Sequence, residues 1–203
     1  MKNILTISIL VISLLSCKAQ QIVTPIFGNA SPPNNPNNYQ KDVDNDFNKF
    51  VGTWKYQDTT IEFIIKLKKE EQINDNYGSY IYDCLVGEYL YKENGTIIVN
   101  TLSDFDDPAI SGYGHKITGK SIIGKNHSPH CDDCSIVERR MRINMDNPNH
   151  PEGSGQLILR HINDNGIEKM EVILYDASSQ YHREGTPRNT LGITPGTFTF
   201  IKQ

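Results

Sequence analysis

The sequence predicts an all-β protein that forms a single antiparallel barrel of about eight strands. Apolar and polar residues alternate along residues 61–67, and this period of two is typical of a half-buried strand. Two turns, at residues 93–95 and 163–166, each contain Asn-Gly and separate pairs of strand-like segments. Asn-Gly favours the positive φ angles that a two-residue hairpin turn requires. No long helical period competes with these strand signals.

Segments with strand signals continue from residue 53 to the last residues of the chain. They are residues 53–57, 61–67, 80–91, 96–101, 135–144, 155–162, 167–175 and 197–202, with one or two more strands possible between residues 112 and 123. Open edges of such hairpins invite aggregation, so closure into a barrel is the expected arrangement. A short helical turn is expected before the first strand, because Val43, Phe47 and Phe50 follow a capping Asp42 with helical spacing.

The first residues have the pattern of a secretion signal. Lys2 precedes an apolar run at residues 4–15, and a helix of twelve residues is about 18 Å long, too short for a hydrocarbon core of about 30 Å. The next residues, Leu14-Leu15-Ser16-Cys17, resemble the lipobox of bacterial lipoproteins. This resemblance implies that residues 1–16 are removed and that Cys17 carries acyl chains such as palmitate, which anchor the protein in a membrane, with the outer membrane expected. An ordinary soluble secretory protein is the alternative.

Residues 17–46 are expected to comprise the lipidated cysteine and a disordered tether. Four prolines and many asparagines leave few apolar side chains whose burial would offset the entropy of ordering. The tether would then span about 30 Å and hold the domain off the membrane. The predicted barrel domain covers residues 47–203.

The charge of the chain argues against nucleic acid as a partner. Without residues 1–16, 19 Lys and Arg stand against 24 Asp and Glu, so the formal net charge is −5. Such a chain lacks the basic surface that phosphate backbones require. Arg139, Arg140 and Arg142 are the densest basic group, and their alternation with apolar residues indicates a solvated strand face. We expect a monomer without a cofactor.

Residues around the single tryptophan carry a resemblance to a known superfamily. Gly52 and Trp54, at the predicted start of the first strand, resemble the Gly-x-Trp of lipocalin-like proteins, which implies that the indole packs across the base of the barrel. Residues 50–54, 87–89 and 196–203 are similar to an uncharacterised family of lipocalin-like lipoproteins in Bacteroidota. This resemblance covers most of residues 42–203 and implies a fold but no activity.

The most reactive stretch of the sequence contains His127, His130, Cys131 and Cys134 within eight residues. Two imidazoles and two thiols would suit tetrahedral zinc, although structural sites normally draw their second ligand pair from a distant segment. Export favours a Cys131–Cys134 disulfide instead, and redox catalysis is disfavoured because a strand, not a helix, is predicted to follow. Cys84 lies in a strand pattern, where a buried inert thiol is expected; pairing with Cys131 or Cys134 is the alternative.

Two further patterns are interpreted as structural. Residues 114–121 satisfy G-x-x-x-x-G-K-[ST], but a strand or turn follows where a phosphate-binding loop needs a helix. Asp104, Asp106 and Asp107 crowd one loop without the register of a calcium-binding EF-hand. No motif of a hydrolase is found, and the sequence favours a protein that is not an enzyme.

Three functional hypotheses remain open. The first is a membrane-anchored lipoprotein that binds a small apolar or amphipathic ligand in the barrel mouth, where alternation allows either Tyr80 and Tyr82 or Tyr89 and Tyr91 to face inward. Its ligand-binding residues are otherwise unknown. The second is a structural or protein-interaction module of the cell envelope, which a filled barrel would favour. The third is an enzyme or metal carrier built on the His/Cys stretch.

Overall fold

A computed structural model describes residues 21–28, 35–74, 79–151, 153–178 and 190–203. Strands dominate these residues, and their helices are short 3-10 turns at Asn48–Phe50, Leu102–Asp106 and Gly112–Gly114. The strands are β1 (Ile22–Pro25), β2 (Asn38–Lys41), β3 (Gly52–Gln57), β4 (Ile61–Asn74), β5 (Ile81–Glu93), β6 (Thr96–Asn100), β7 (Ile117–Ile123), β8 (Arg140–Asp146), β9 (Ser154–Asp164), β10 (Ile167–Asp176) and β11 (Gly196–Lys202). The predicted all-β fold class is confirmed.

Eight of these strands close into an antiparallel barrel. They follow the order β5-β4-β3-β11-β10-β9-β8-β7, and pairing of β7 with β5 closes the circle. β6 pairs with the end of β5, outside this path. Closure leaves the eight strands without an open edge between them, as the sequence predicts.

The two predicted Asn-Gly hairpins are present. Asn94 and Gly95 join β5 to β6 with φ angles of 50° and 78°, and Asn165 and Gly166 join β9 to β10 with φ angles of 53° and 89°. Positive φ at both central residues is the geometry of the turn that continues the strand twist.

The two ends of the barrel differ, and we call them lower and upper. The lower end is where β3, β5, β8 and β10 begin, and the upper end is where β5 continues into β6. The helical turn at Asn48–Phe50 lies at the lower end, beside β4 and β9, and both Phe47 and Phe50 are buried. The N-cap residue of this turn is Phe47 and no side chain caps it, so the predicted helix-capping role of Asp42 is wrong. Asp42 instead accepts hydrogen bonds from the backbone N–H groups of Asp46 and Phe47 in the segment before the turn.

Residues 22–25 and 38–41 differ from the prediction, because these parts of the expected tether are sheet. β1 pairs in parallel with β2, and β2 pairs in parallel with the first residues of β5. Asn38, Tyr39 and Gln40 of β2 are buried. The prediction of a disordered tether over residues 17–46 is therefore wrong for residues 22–25 and 38–46, because hydrogen bonds to a distant strand offset the entropy of ordering a segment poor in apolar residues.

The strand predicted at residues 135–144 begins only at Arg140. The preceding residues form a turn in which the Glu138 N–H donates to the Ser135 carbonyl at 3.2 Å. Ile136 and Val137 on this turn are 74% and 80% exposed. The alternating pattern was misleading here because ion pairs of Arg139 with Asp44 and of Glu138 with Arg160 of β9 hold these residues in a turn.

His161 at the lower end gives a prediction on pH. Its ring meets Trp54 edge-on at 6.1 Å and Phe50 at 6.5 Å, and burial lowers the pKa of His161. The unfolded chain therefore binds this proton more readily, so stability is lost as the pH falls through about 6.5, the ordinary value of an exposed histidine. We expect the unfolding free energy, measured with urea at pH 8 and pH 5, to fall less between these two pH values in His161→Gln than in the wild type. An equal fall in the two proteins would contradict a lowered pKa of His161.

Candidate functional site

The barrel interior is the first candidate, because barrels of this size can enclose one small ligand. Inward side chains alternate along six of the eight strands: Phe63, Ile65 and Leu67 of β4, Tyr89 and Tyr91 of β5, Met141, Ile143 and Met145 of β8, Leu157 and Leu159 of β9, Met170, Val172 and Leu174 of β10, and Phe198 and Phe200 of β11. These side chains are between 0% and 4% exposed. A side chain that lined a ligand-sized void would be accessible to water within that void, so they fill the interior between them.

Phe63 is the centre of an aromatic cluster inside the barrel. Its ring centroid lies 5.2 Å from those of Tyr91 and Phe200, 5.6 Å from that of Phe198 and 6.1 Å from that of Tyr89. These are edge-on contacts, the arrangement that aromatic quadrupoles favour. Of the two tyrosine pairs considered for the barrel mouth, Tyr89 and Tyr91 face inward and take part in packing.

Tyr82 lies on the outer face of β5, in a separate cluster with Cys84 and Val86. Tyr80 packs against this cluster, and its ring centroid is 5.7 Å from that of Tyr82. Lys120 of β7 lies 4.3 Å from the Tyr80 ring centroid and donates to the Tyr80 hydroxyl. This outer face is therefore closed by cation–π and apolar contacts.

Trp54 lies at the lower end and is fully buried. Its indole N–H donates to the Phe50 carbonyl at 2.7 Å, and the Lys202 ammonium lies 5.3 Å from the ring centroid. Gly52, two residues earlier, has φ +130°, a conformation that L side chains rarely adopt.

The second candidate is the connection from β7 to β8, which contains the His/Cys stretch. Cys131 and Cys134 are joined by a disulfide, as predicted. His127 Nδ1 accepts from the Gly124 N–H at 3.1 Å, and His130 Nε2 lies 3.1 Å from an Asp132 carboxylate oxygen. The four predicted metal ligands therefore do not converge: the histidines have other contacts and the sulfurs are bonded to each other.

Arg160 of β9 ties this connection to the barrel wall. Its guanidinium contacts Glu138 at 2.6 Å, Asp133 at 2.7 Å and Glu171 at 3.3 Å. The hydrogen bond from Arg160 holds the pKa of Asp133 below its usual range. Between the connection and the outer faces of β9 and β10 lies an open cavity of about 310 Å³. Its lining mixes charges of both signs with Ile158 and Ile173, so it has no single-sign electrostatic preference.

Arg140 corrects the expectation of a solvated basic face. It is buried, and its guanidinium donates to the carbonyls of Gly124 and Pro129 at 3.1 and 2.9 Å. Burial lowers the pKa of Arg140. The side chain fastens the disulfide-containing connection onto β8 and is not available to solvent.

The metal hypothesis depends on reduction of the disulfide. The Asp133 carboxylate and the two sulfurs lie within 4.8 Å of one another, which is a possible ligand group once the sulfurs are thiolates. Zinc binding that appears in the reduced wild type and is lost in Cys131→Ser/Cys134→Ser would support this hypothesis.

The disulfide closes a loop with a sequence separation of three residues. We expect the double variant Cys131→Ser/Cys134→Ser to lose about 2 kcal/mol of unfolding free energy, because a short cross-link restricts the unfolded chain only modestly. Denaturant unfolding of the oxidised protein, the reduced protein and the variant measures this loss. A reduced wild type that is as stable as the oxidised protein would contradict the prediction.

Cys84 is the free cysteine among the described residues, and it is buried. Burial, reinforced by Glu70 and Asp83, raises the pKa of the Cys84 thiol to about 12. A thiol that stays protonated is a poor nucleophile and a poor metal ligand. The prediction of a buried, unpaired thiol is confirmed.

A buried His–carboxylate network on the outer face of β4 and β5 was not predicted. His115 Nδ1 lies 2.9 Å from a Glu88 oxygen and Nε2 lies 3.2 Å from a Glu70 oxygen, with His115 and Glu88 both buried. Both ring nitrogens of His115 therefore face a carboxylate oxygen, one from β5 and one from β4. Glu70 also accepts from the Gly112 N–H at 2.8 Å, which holds residues 112–115 against the barrel.

The two patterns interpreted as structural are structural. Residues 117–121 of the phosphate-loop match belong to β7, and no helix follows them. Asp104 and Asp106 lie in the 3-10 turn Leu102–Asp106, where Asp106 pairs with Lys66 at 3.7 Å. Neither segment converges on a ligand site in the described part of the chain.

A closed antiparallel barrel with a filled apolar interior and a disulfide-bonded connection at its lower end defines the class of this protein. The chain belongs to DUF6705, a family of unknown function whose model matches residues 1–203. No curated protein and no solved structure is significantly similar to it. Among the described residues, no helix is both long enough and apolar enough to cross a bilayer.

Proposed function

We propose that the protein is an exported lipoprotein, anchored to a membrane through Cys17, whose solid barrel acts as a structural or protein-interaction module of the cell envelope. The proposed structural or protein-interaction role rests on the filled interior of the barrel. Fifteen inward side chains are each at most 4% exposed, so they leave no space for a ligand between them. A carrier of apolar ligands needs a preformed cavity lined by such side chains.

The anchoring part of the proposal is supported by the N-terminal sequence. Cys17 follows an apolar run of secretory type and a small residue, Ser16. The Cys131–Cys134 disulfide supports export, because disulfides persist outside the reducing cytosol. Cys17 itself lies outside the described residues.

Mass spectrometry of the full chain, expressed with its own leader in a bacterium and extracted from membranes in detergent, tests the proposal. We expect a denatured mass that corresponds to a chain starting at Cys17 with its acyl chains, and a native mass without a further apolar ligand. Cys17→Ser is the matched control and should keep residues 1–16 and lack the acyl chains.

Three outcomes would contradict parts of the proposal. Wild-type protein that begins at Met1 or lacks acyl chains would contradict the anchor. A stoichiometric lipid or small molecule in the native spectrum would favour the ligand-carrier hypothesis instead. A zinc adduct together with reduced Cys131 and Cys134 would favour the metal hypothesis.

A further inference from the structure

We infer that the lower end of the barrel faces the bilayer, and that Ile136 and Val137 insert into its interfacial region. The inference rests on the proposed acylation of Cys17. It concerns the orientation of the domain, which neither the leader sequence nor the barrel fold specifies.

The link between Cys17 and the folded domain is short. β1 begins at Ile22, so four residues, 18–21, separate it from the cysteine. Four fully extended residues span at most about 14 Å. The barrel therefore lies next to the lipid surface and is not held about 30 Å away, as a disordered tether over residues 17–46 would allow.

The pairing of β1 determines which end of the barrel is near Cys17. Ile22 pairs with Asn38, and the next residue of β2, Tyr39, pairs with Ile81 at the start of β5. β5 starts at the lower end, and β1 runs parallel to it. Residue 22, at the start of β1, is therefore at the lower end.

The same end carries an unusual apolar surface. Ile136 and Val137 are adjacent on the turn before β8, which begins at the lower end, and they are 74% and 80% exposed. Single exposed apolar residues are common, but two neighbouring β-branched residues at a turn tip expose apolar area that burial would stabilise. Other exposed apolar residues at this end are Ile22, Val23, Val43 and Ile167.

Contacts hold the turn in a fixed position relative to β1. The Arg139 guanidinium lies 4.3 Å from the ring centroid of Phe27, which follows β1 by two residues. Arg139 also pairs with Asp44 and Asp46, each at 2.6 Å. Ile136 and Val137 are thus presented by a rigid support beside the segment that leads to the anchor.

The charged side chains around the turn are paired with opposite charges, and this pairing bears on whether the turn needs anionic lipids. Glu138 and Asp133 pair with Arg160, and Arg139 pairs with two aspartates. In the described turn, the one basic side chain, Arg139, is therefore already paired with acidic groups and offers little attraction to anionic headgroups. Contact would depend on apolar insertion, so a zwitterionic phosphatidylcholine surface is a sufficient probe.

The experiment attaches residue 17 to a bilayer by chemistry that does not depend on the cell. The chain from Cys17 onward, which keeps every described residue, is coupled through the Cys17 thiol to a maleimide phospholipid in phosphatidylcholine vesicles. Cys84 is buried and Cys131 and Cys134 are bonded, so coupling is directed to Cys17. Val137→Trp reports on the lower end, and Ile97→Trp, at a site 54% exposed beside the upper hairpin, is the matched control.

Brominated phosphatidylcholine should quench about half of the added emission of Val137→Trp and almost none of that of Ile97→Trp, because an interfacial side chain reaches the acyl boundary. Emission of the wild type, from the buried Trp54, is subtracted. Ile136→Trp is a second reporter should Val137→Trp perturb the turn. Equal quenching at both ends, or none at Val137 and Ile136, would overturn the inference and leave a protein partner as the ligand of this surface. Protein without acyl chains from cells would contradict the proposed function instead, so the two failures are distinguishable.

Discussion

Replacing Asp83 with alanine is expected to lower the free energy of unfolding by about 3–5 kcal/mol, one of the two largest effects that we expect from a single substitution. The Asp83 carboxylate is completely buried and accepts three hydrogen bonds, from the Tyr39 hydroxyl at 2.5 Å, the Asp42 N–H at 3.0 Å and the Gln72 N–H at 3.2 Å. The Lys69 ammonium lies 3.9 Å away. Alanine would leave the three hydrogen-bond donors without this acceptor, whereas Lys69 would keep its ion pairs with Asp42 and Glu71.

The prediction has a local readout because Asp83 fastens β2 to β5. Burial, with the hydrogen bond to Asp83, raises the pKa of Tyr39, so the phenol stays protonated and donates throughout the neutral range. Tyr39→Phe, which removes one of the three donors, is the matched control and should cost about 1–2 kcal/mol. Hydrogen exchange should show faster exchange along β1 and β2 in Asp83→Ala than in the wild type. A loss below about 1 kcal/mol with unchanged exchange would contradict this role.

The barrel was predictable because its signals are local. Alternation along residues 61–67 matches the buried Phe63, Ile65 and Leu67, and Asn-Gly marks the β9–β10 hairpin of the barrel and the β5–β6 hairpin beside it. Each of these patterns depends on residues that are neighbours in sequence, and a period of two constrains which face is buried whatever the partner strand is. Closure followed from the need to remove open edges.

The N-terminal strands were not predictable because their stabilisation is not local. Residues 38–42 have few apolar side chains, and their order depends on Asp83, which lies 44 residues after Tyr39. The composition of residues 38–42 predicts disorder because it contains no information about the Asp83 carboxylate, which accepts their hydrogen bonds. The prediction of a strand at residues 135–139 was wrong because the stabilising contacts are again distant in sequence. The partners of Arg139 lie 93 and 95 residues earlier.

The candidate sites also divide into features that are local in sequence and were predicted, and features that join distant residues and were not. The Cys131–Cys134 disulfide was predictable from the Cys-x-x-Cys spacing together with the export that the leader sequence predicts. The environment of that disulfide, in which Arg160 joins Asp133 and Glu138 of the same connection to Glu171 of β10, depends on the barrel register. The His115 network likewise joins residues 27 and 45 positions apart, and no motif connects them.

Phe63→Ala is expected to lower the free energy of unfolding by about 3–5 kcal/mol and to create a binding cavity where the wild type has none. Phe63 is fully buried, and four aromatic rings surround it with centroids between 5.2 and 6.1 Å away. Rings supported by eight closed strands collapse only partly into the space, so much of the ring volume remains as an apolar void. Such voids stay dry and accept benzene-sized molecules.

The pair of measurements distinguishes a solid barrel from a carrier. Benzene or an indole analogue should raise the melting temperature of Phe63→Ala and leave that of the wild type unchanged, because a ligand stabilises only a folded state that has a place for it. Ile97→Ala, at an exposed position, is the control and should change stability by less than about 0.5 kcal/mol. A wild type that is stabilised as strongly as Phe63→Ala would mean that the interior already holds ligand space. The filled aromatic core would then no longer support a structural or protein-interaction role. The ligand-carrier hypothesis would replace that role.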